Sequence, residues 1–120
     1  MKYAAHVILG VRFRDGEQSS FPCYENVLLI DAETDDDALA EAERLGQMEA
    51  ADDDSFRWDD RPARWEFVGV RKLIECRTPG GDDTKAINGT ELTYSHFTLA
   101  SEGDLRRFAD GEAVTVRYEE

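Results

Sequence analysis

The sequence predicts a single α+β domain over residues 1–120, an antiparallel sheet of about five strands with two helices packed on one face. Two observations lead to this prediction: stretches whose apolar residues recur with a period of two, and two segments that open on a helix-capping motif. In chain order the elements read β-β-α-β-β-α-β. A chain of this length buries roughly two-thirds of its unfolded surface, so its stability requires neither a disulfide nor a metal.

The first two predicted strands form a pair. Every odd position from Tyr3 to Phe13 is apolar, so we expect one face of this strand to be buried. Asp15-Gly16 then marks a turn that opens a longer loop, and extended structure resumes over Phe21 to Ala32. We expect the two strands to pair antiparallel.

The first predicted helix begins after Thr34, which opens a capping box. Three aspartates occupy its first turn, where the helix dipole favours negative charge. Gly46 is either its C-cap or an interior residue of a helix that continues over residues 47–51. The apolar stripe expected to face the sheet consists of Ala38, Leu39, Ala42 and Leu45.

The longest predicted strand runs from Arg64 to Cys76. Trp65 and Phe67 share one face of it, and Gly69 interrupts the alternation. An interior glycine often marks a bulge, so the residues that follow are expected to change face. We place this strand in the centre of the sheet, covered on part of both faces.

The C-terminal third contains a loop, a strand, a helix and a final strand. Residues 77–89 are rich in Gly, Pro and Asp, which is typical of a long loop or a flexible hairpin connection. Thr90 to Ala100 reads as a strand with a bulge near Ser95 or His96, where the apolar phase shifts. Ser101 opens the second capping box, and its helix ends at Gly111. The last strand is expected over Ala113 to Tyr118, with Val114, Val116 and Tyr118 facing inward.

Charge is distributed unevenly along the chain, whose formal net charge is -13. Residues 31–54 hold 11 acids and one base, whereas residues 57–77 carry a net charge of +2. Such an acidic excess repels phosphate, so direct binding to nucleic acid or to an anionic membrane is disfavoured. Acidic surfaces commonly serve solubility, but they also suit a basic protein partner. The candidate contact residues are Asp35, Asp36, Asp37, Glu41, Asp52, Asp53 and Asp54.

A pocket is the alternative kind of site. Arginines beside aromatic rings suit small anions, and Tyr24, Arg64, Trp65 and Arg71 are the candidate lining residues. No catalytic motif, phosphate loop or cofactor signature accompanies them, so we expect no cofactor, and an enzyme is the less favoured reading. The aspartates from Asp52 do not fit a calcium loop, because phenylalanine and arginine stand where a ligand and a glycine are needed.

Histidines and cysteines offer few further candidates. His6 and His96 fall on predicted strands and would form a metal or acid–base site only if those strands were adjacent. Cys23 and Cys76 have no ligand spacing, so we expect free thiols, with a disulfide between strands as the alternative. The N-terminal stretch shows no cleavable signal and nothing approaches a membrane span, so we expect a cytoplasmic protein. A homodimer through an uncovered sheet face or edge strand is also expected.

Three stretches resemble a family of small, functionally uncharacterised bacterial domains. They are Tyr24-Glu25-Asn26 before an apolar strand, Ala32-Glu33-Thr34 before the first helix, and the run from Trp65 to Leu73. The resemblance spans about Tyr3 to Cys76, which leaves the role of Thr90 to Glu120 open. It implies a stand-alone bacterial cytoplasmic protein and brings no activity, cofactor or catalytic residue.

Two hypotheses about function follow from the sequence. The preferred one is a non-enzymatic interaction module of the immunity or adaptor type, which binds a basic protein through its acidic segment. The alternative is a small-anion ligand-binding or enzymatic domain with a pocket near Trp65 and Arg71.

Overall fold

The computed structural model describes residues 1–77 and 88–119, which form six strands and two helices. The α+β class is confirmed, whereas the expected count of five strands was too low, because a two-residue strand precedes the longest one. The strands follow the antiparallel order β3-β4-β1-β2-β5-β6 in one curled sheet. The elements are β1 Lys2–Phe13, β2 Phe21–Asp31, α1 Asp35–Glu49, β3 Arg57–Trp58, β4 Arg61–Cys76, β5 Glu91–Leu99, α2 Glu102–Ala109 and β6 Arg117–Glu119.

Strand β1 lies at the centre of the sheet and pairs on both sides. Its antiparallel pairing with β2 is confirmed, with Tyr3 opposite Ile30 and Leu9 opposite Tyr24. Its other edge pairs with β4, so that Lys2 lies opposite Cys76. Strand β1 is buried over most of its length, which indicates that both of its faces are covered.

The two helices pack on opposite faces of the sheet, so the prediction of both on one face was wrong. Val7 belongs to the apolar cluster that includes Ala38 and Ala42 of α1, whereas its neighbour Ile8 belongs to the cluster with Leu105 of α2. Successive residues of a strand point to opposite faces, so each helix covers its own face. At the even positions of β1, Ile8 and Gly10 are buried and supply a second apolar surface between the polar His6 and Arg12.

Helix α1 begins as predicted and continues past Gly46. The Thr34 hydroxyl accepts a hydrogen bond from the Asp37 backbone N–H at 3.1 Å, and the C-cap is Ala50. Gly46 is a buried interior residue, where an added Cβ would lie 2.4 Å from Cδ1 of Phe67. Its glycine therefore serves close packing of α1 on β4 rather than the end of the helix.

Strand β4 contains two bulges relative to β1. Gly69 pairs with Ile8 and Phe67 with Leu9, which leaves Val68 without an opposite residue, so the bulge predicted at Gly69 is confirmed. A second register shift leaves Arg71 unmatched. In β5 the shift falls at Leu92, several residues before the predicted position near Ser95 or His96, which pair regularly with β2.

The C-terminal segment confirms the second helix and shortens the last strand. The Ser101 hydroxyl accepts a hydrogen bond from the Asp104 backbone N–H at 3.0 Å, and Gly111 follows the helix with a φ of 83°. Among the described residues, strand β6 pairs at residues 117–119, and Tyr118 is 60% exposed instead of facing inward. Val114 and Val116 do pack against the α2 cluster. Most of the predicted loop over residues 77–89 lies outside the described residues.

Candidate functional site

Six aromatic residues gather on the α1 face of the sheet, on the part that the helix itself does not cover, and we call them the aromatic cluster. Tyr24 of β2 is its centre: its ring centroid lies 5.5 Å from that of Trp65 in an edge-on contact and 4.5 Å from that of His96 in a parallel stack. Aromatic pairs at such separations stabilise one another beyond their burial, so this group is held in a fixed arrangement. Its members are Tyr24, Phe56, Trp58, Trp65, Tyr94 and His96.

A cavity of about 360 Å³ opens between this cluster and the C-terminal end of α1. Strand pairing assembles its walls, since Leu9 lies opposite Tyr24 and Asn26 lies opposite Tyr94. Glu49 is the last residue of α1, and Glu91 is the first residue of β5. We call this space the aromatic cavity; it is lined by Leu9, Tyr24, Asn26, Glu49, Trp65, Glu91 and Tyr94.

The aromatic cavity is electronegative. Glu49 and Glu91 are its charged lining residues, both are exposed, and neither has an ion-pair partner among residues 1–77 and 88–119. The last turn of α1 contains no basic residue, so the negative end of the helix dipole is not neutralised there. Burial, and to a lesser degree the neighbouring Tyr94, raises the pKa of Tyr24, which keeps its phenol protonated.

The four residues predicted to line an anion pocket are divided between the two faces. Tyr24 and Trp65 meet in the aromatic cavity, whereas Arg71 reaches α2, where its Nη1 donates to the Phe108 carbonyl at 2.6 Å. Arg64 points to the α2 face as well, with its Nη2 3.9 Å from Glu66. Neighbours in a strand alternate between faces, and the bulge at Arg71 redirects that side chain.

The predicted acidic contact residues lie at the two ends of α1 rather than in one patch. Asp35, Asp36 and Asp37 form its first turn, and Asp52 to Asp54 follow its C-terminus, so roughly 22 Å of helix separates the groups. Glu41 lies between them on the same helix.

Some of these acids are engaged within the fold. Asp35 accepts a hydrogen bond from the Tyr3 hydroxyl at 3.0 Å, and burial together with this bond raises the pKa of Tyr3 to about 12. Asp52 pairs with Arg14, and Glu41 pairs with Arg44. Hydrogen bonds from Ser55 lower the pKa of Asp53, which keeps that carboxylate ionised.

Seven exposed acids on α1 and the loop after it have no ion-pair partner among the described residues. Asp35 accepts a hydrogen bond from Tyr3 and Glu49 lines the aromatic cavity, and we call the other five the acidic surface. The arginines of the fold are paired with other carboxylates, because every described arginine except Arg77 lies within 3.9 Å of one. Four of the six bases in the basic segment of residues 57–77 are therefore paired with carboxylates of the fold. The acidic surface consists of Asp36, Asp37, Glu43, Asp53 and Asp54.

The histidines and cysteines form no shared site. His96 stacks on Tyr24 on the α1 face, whereas His6 lies across the sheet with its Nδ1 3.4 Å from Glu25. Within the described ranges, no group of three or more His, Cys, Asp or Glu residues is placed to hold a metal ion. Cys23 and Cys76 are free thiols. In the same ranges, no helix has the length and apolar character needed to cross a membrane.

Comparison with known proteins identifies one family. Residues 2–93 match the family described as Domain of unknown function (DUF4288), which confirms the resemblance found over Tyr3 to Cys76. The match contains every residue that lines the aromatic cavity except Tyr94, and it ends before α2 and β6. No curated protein and no solved structure matches the chain.

Proposed function

Because the chain belongs to the DUF4288 family, whose description names no activity, we propose a function from its own surface: a non-enzymatic module that binds a basic protein partner, of the immunity or adaptor type. One observation supports this proposal. The described arginines are almost all paired inside the fold, while the acidic surface keeps its charge.

The acidic surface suits recognition by charge. Asp36, Asp37 and Glu43 are exposed on α1. Asp53 and Asp54 extend the negative electrostatic field beyond the C-terminus of that helix. Unpaired surface carboxylates attract a basic partner and accelerate its association, and they make the complex sensitive to salt. The same charge repels phosphate, which argues against direct binding to nucleic acid.

A partner that contacts both ends of the acidic surface must span most of α1. The two groups of aspartates are separated by roughly 22 Å, which is within the width of a protein–protein interface of standard size. We therefore expect a folded basic protein or a long basic segment rather than a single small cation.

The alternative of a small-anion pocket near Trp65 and Arg71 gains no support from the geometry. Arg71 lies on the other face, and the charged groups among the described residues that line the cavity beside Trp65 are the carboxylates Glu49 and Glu91. The proposed location is the cytoplasm, since Cys23 and Cys76 are free thiols and a reducing compartment keeps them so.

The proposal is tested by capturing partners from lysate of the producing organism on the tagged full chain, with washes across a salt series. The test variant is Asp36→Asn/Asp37→Asn/Glu43→Gln, which removes three charges from the acidic surface. Asp35 is left intact because it accepts a hydrogen bond from Tyr3. The matched control, Glu17→Gln/Asp110→Asn/Glu112→Gln, removes three exposed charges away from α1 that form no ion pair among the described residues.

The expected result is a basic protein that the native chain and the control retain at low salt and release at high salt. The test variant should lose it. Equal retention by the native chain and the test variant, or no specific protein with the native chain, would overturn the proposal. Thermal unfolding of all three proteins checks that the variants remain folded, because the first-turn aspartates each stabilise α1 by about 0.3–1 kcal/mol.

A further inference from the structure

The aromatic cavity combines aromatic walls with two carboxylates that lack partners among the described residues. We propose that it binds the guanidinium group of an arginine side chain, which the basic partner supplies. That the arginine belongs to the basic partner rests on the function proposed above. That the cavity binds a guanidinium group does not depend on that function.

Charge is the first argument. Glu49 and Glu91 enter the cavity from α1 and β5, and no described residue neutralises either of them. The C-terminal end of α1 adds its negative dipole at the same place. Carboxylates desolvated by a neutral apolar ligand would lose their hydration without compensation, so a cation is the occupant that the cavity favours.

The aromatic walls are the second argument. Tyr24, Trp65 and Tyr94 line the cavity, and cations bind over such rings because the ring face is electronegative. Phe56 stacks on Trp65 with ring centroids 4.9 Å apart, and His96 stacks on Tyr24, so these walls are supported from behind. Tyr94 is 59% exposed and presents its ring at the rim.

Shape selects guanidinium over a compact ammonium group. A planar guanidinium stacks on aromatic faces and pairs bidentately with a carboxylate, which the neighbouring Tyr94 and Glu91 can provide together. The cavity volume of about 360 Å³ also has room for the methylene stem, which would lie on the apolar floor at Leu9. Asn26 also lines the cavity, and the oxygen of a side-chain amide is a further acceptor for a cation.

The chemistry is tested by titrating N-acetyl-arginine amide into the full-length protein and following it by heteronuclear NMR. N-acetyl-citrulline amide, which has nearly the same shape without the charge, is titrated in parallel. Physiological salt limits general attraction to the acidic protein, because it screens charges beyond about 8 Å. Glu91→Gln and Tyr94→Ala are the test variants. Tyr118→Ala and Glu112→Gln are the controls, since Tyr118 is 60% exposed and Glu112 is exposed, and neither lines the cavity.

We expect saturable shifts at the aromatic cavity with the arginine amide and at least about tenfold weaker binding of the citrulline amide. Each test variant should weaken the arginine amide by about tenfold, while the controls bind it as the native chain does. An equal response to the two amides, an absence of shifts at the cavity, or unchanged binding by the test variants would overturn the guanidinium site.

The source of the arginine is tested with the captured basic protein. Tyr94→Ala should reduce its retention while Tyr118→Ala retains it, and replacement of one arginine of that protein by lysine or alanine should have the same effect as Tyr94→Ala. Unchanged retention by Tyr94→Ala would overturn the partner as the source. Failure of the proposed function gives a different result: the native chain would capture no basic protein, although the arginine amide would still bind to the cavity.

Discussion

Gly46 of α1 lies directly against Phe67 of β4, so that a Cβ on residue 46 would stand 2.4 Å from Cδ1 and 2.5 Å from Cε1 of that ring. The nearest other side chain, Val7 of β1, would lie 3.1 Å away. The helix thus rests on two strands through a residue that has no side chain. This contact sets how closely α1 approaches the sheet beside the aromatic cavity.

Gly46→Ala is expected to destabilise the protein by about 1–3 kcal/mol, since the methyl group forces Phe67 or the helix to move. Alanine favours helix over glycine by about 1 kcal/mol, so propensity alone predicts the opposite sign. Urea unfolding measures the difference. Gly103→Ala in α2 is the control, where the nearest atoms are 3.5 Å away at the flexible end of Arg107, and it should be neutral or stabilising. A stabilised Gly46→Ala variant would contradict the packing role.

Glu66→Gln should cost about 2 kcal/mol of unfolding free energy. Glu66 accepts a hydrogen bond from Nε of Arg12 at 2.9 Å and lies 3.6 Å from Arg106, and the side chains of Glu66 and Arg12 are mostly buried. Loss of the carboxylate leaves the Arg12 charge with Glu102 as its remaining ion-pair partner among the described residues. Glu41→Gln, which breaks the more exposed pair with Arg44, should cost less than about 0.5 kcal/mol. Equal costs for the two substitutions would refute this ranking.

Stability should depend on pH through Asp31. The buried Lys2 ammonium donates to its Oδ2 at 2.8 Å and lowers the pKa of Asp31 below its ordinary 3.8. A carboxyl whose pKa is lower in the folded chain stabilises it fully above the unfolded pKa, and this contribution disappears as the pH falls through the folded pKa. The advantage of the native chain over Asp31→Asn should therefore be constant from neutral pH to about pH 5 and shrink in more acidic solution.

Chemical denaturation at a series of pH values measures that difference for Asp31→Asn. Glu112→Gln is the matched control, because Glu112 is exposed and makes no ion pair within the described part of the chain. Its effect should be small and nearly independent of pH. A constant effect of Asp31→Asn down to strongly acidic solution would show that Lys2 does not favour the ionised carboxylate.

The two cysteines should differ sharply in reactivity. Cys23 is fully buried, and burial raises the pKa of its thiol to about 12, so the reactive thiolate is nearly absent near neutral pH. Cys76 is half-buried at the end of β4. Alkylation of the native protein followed by mass spectrometry should modify Cys76 first, and Cys23 only at the rate of unfolding. Both should react at once in denaturant, and comparable native rates would contradict the buried position of Cys23.

Local patterns were sufficient for the elements whose signals lie within one segment. The serine and threonine caps at Thr34 and Ser101, the pairing of β1 with β2 and the bulge at Gly69 were predicted because each depends on neighbouring residues. The placement of α1 and α2 on opposite faces depends on the path of the connection that precedes each helix, and no local pattern encodes that path. Alternation in β1 does show two apolar surfaces once Ile8 and Gly10 are considered together.

The candidate site was only partly accessible from sequence. Tyr24 and Trp65 were identified, but Glu49 ends α1 whereas Glu91 and Tyr94 belong to β5. These residues meet only through the packing of α1 on the sheet and the pairing of β2 with β5. Arg64 and Arg71 are close to Trp65 in the sequence, and this proximity suggested an anion pocket. Alternation and the bulge at Arg71 place Arg64 and Arg71 on the other side of the sheet, so the electronegative character of the cavity had no linear signal.

The bulges of β4 have a consequence for chain association. Strand β3 pairs with β4 only at Arg61 and Pro62, so within the described part of the chain most of the outer edge of β4 offers its backbone groups. A flat strand from another copy would fall out of alignment at Val68 and again at Arg71, and the Ala63 N–H already donates to the Phe56 carbonyl. Regular pairing is therefore limited to residues 64–67 or 72–76. The homodimer expected from the sequence stays a prediction. The two bulges of β4 therefore hinder fibre growth by repeated strand addition at this edge.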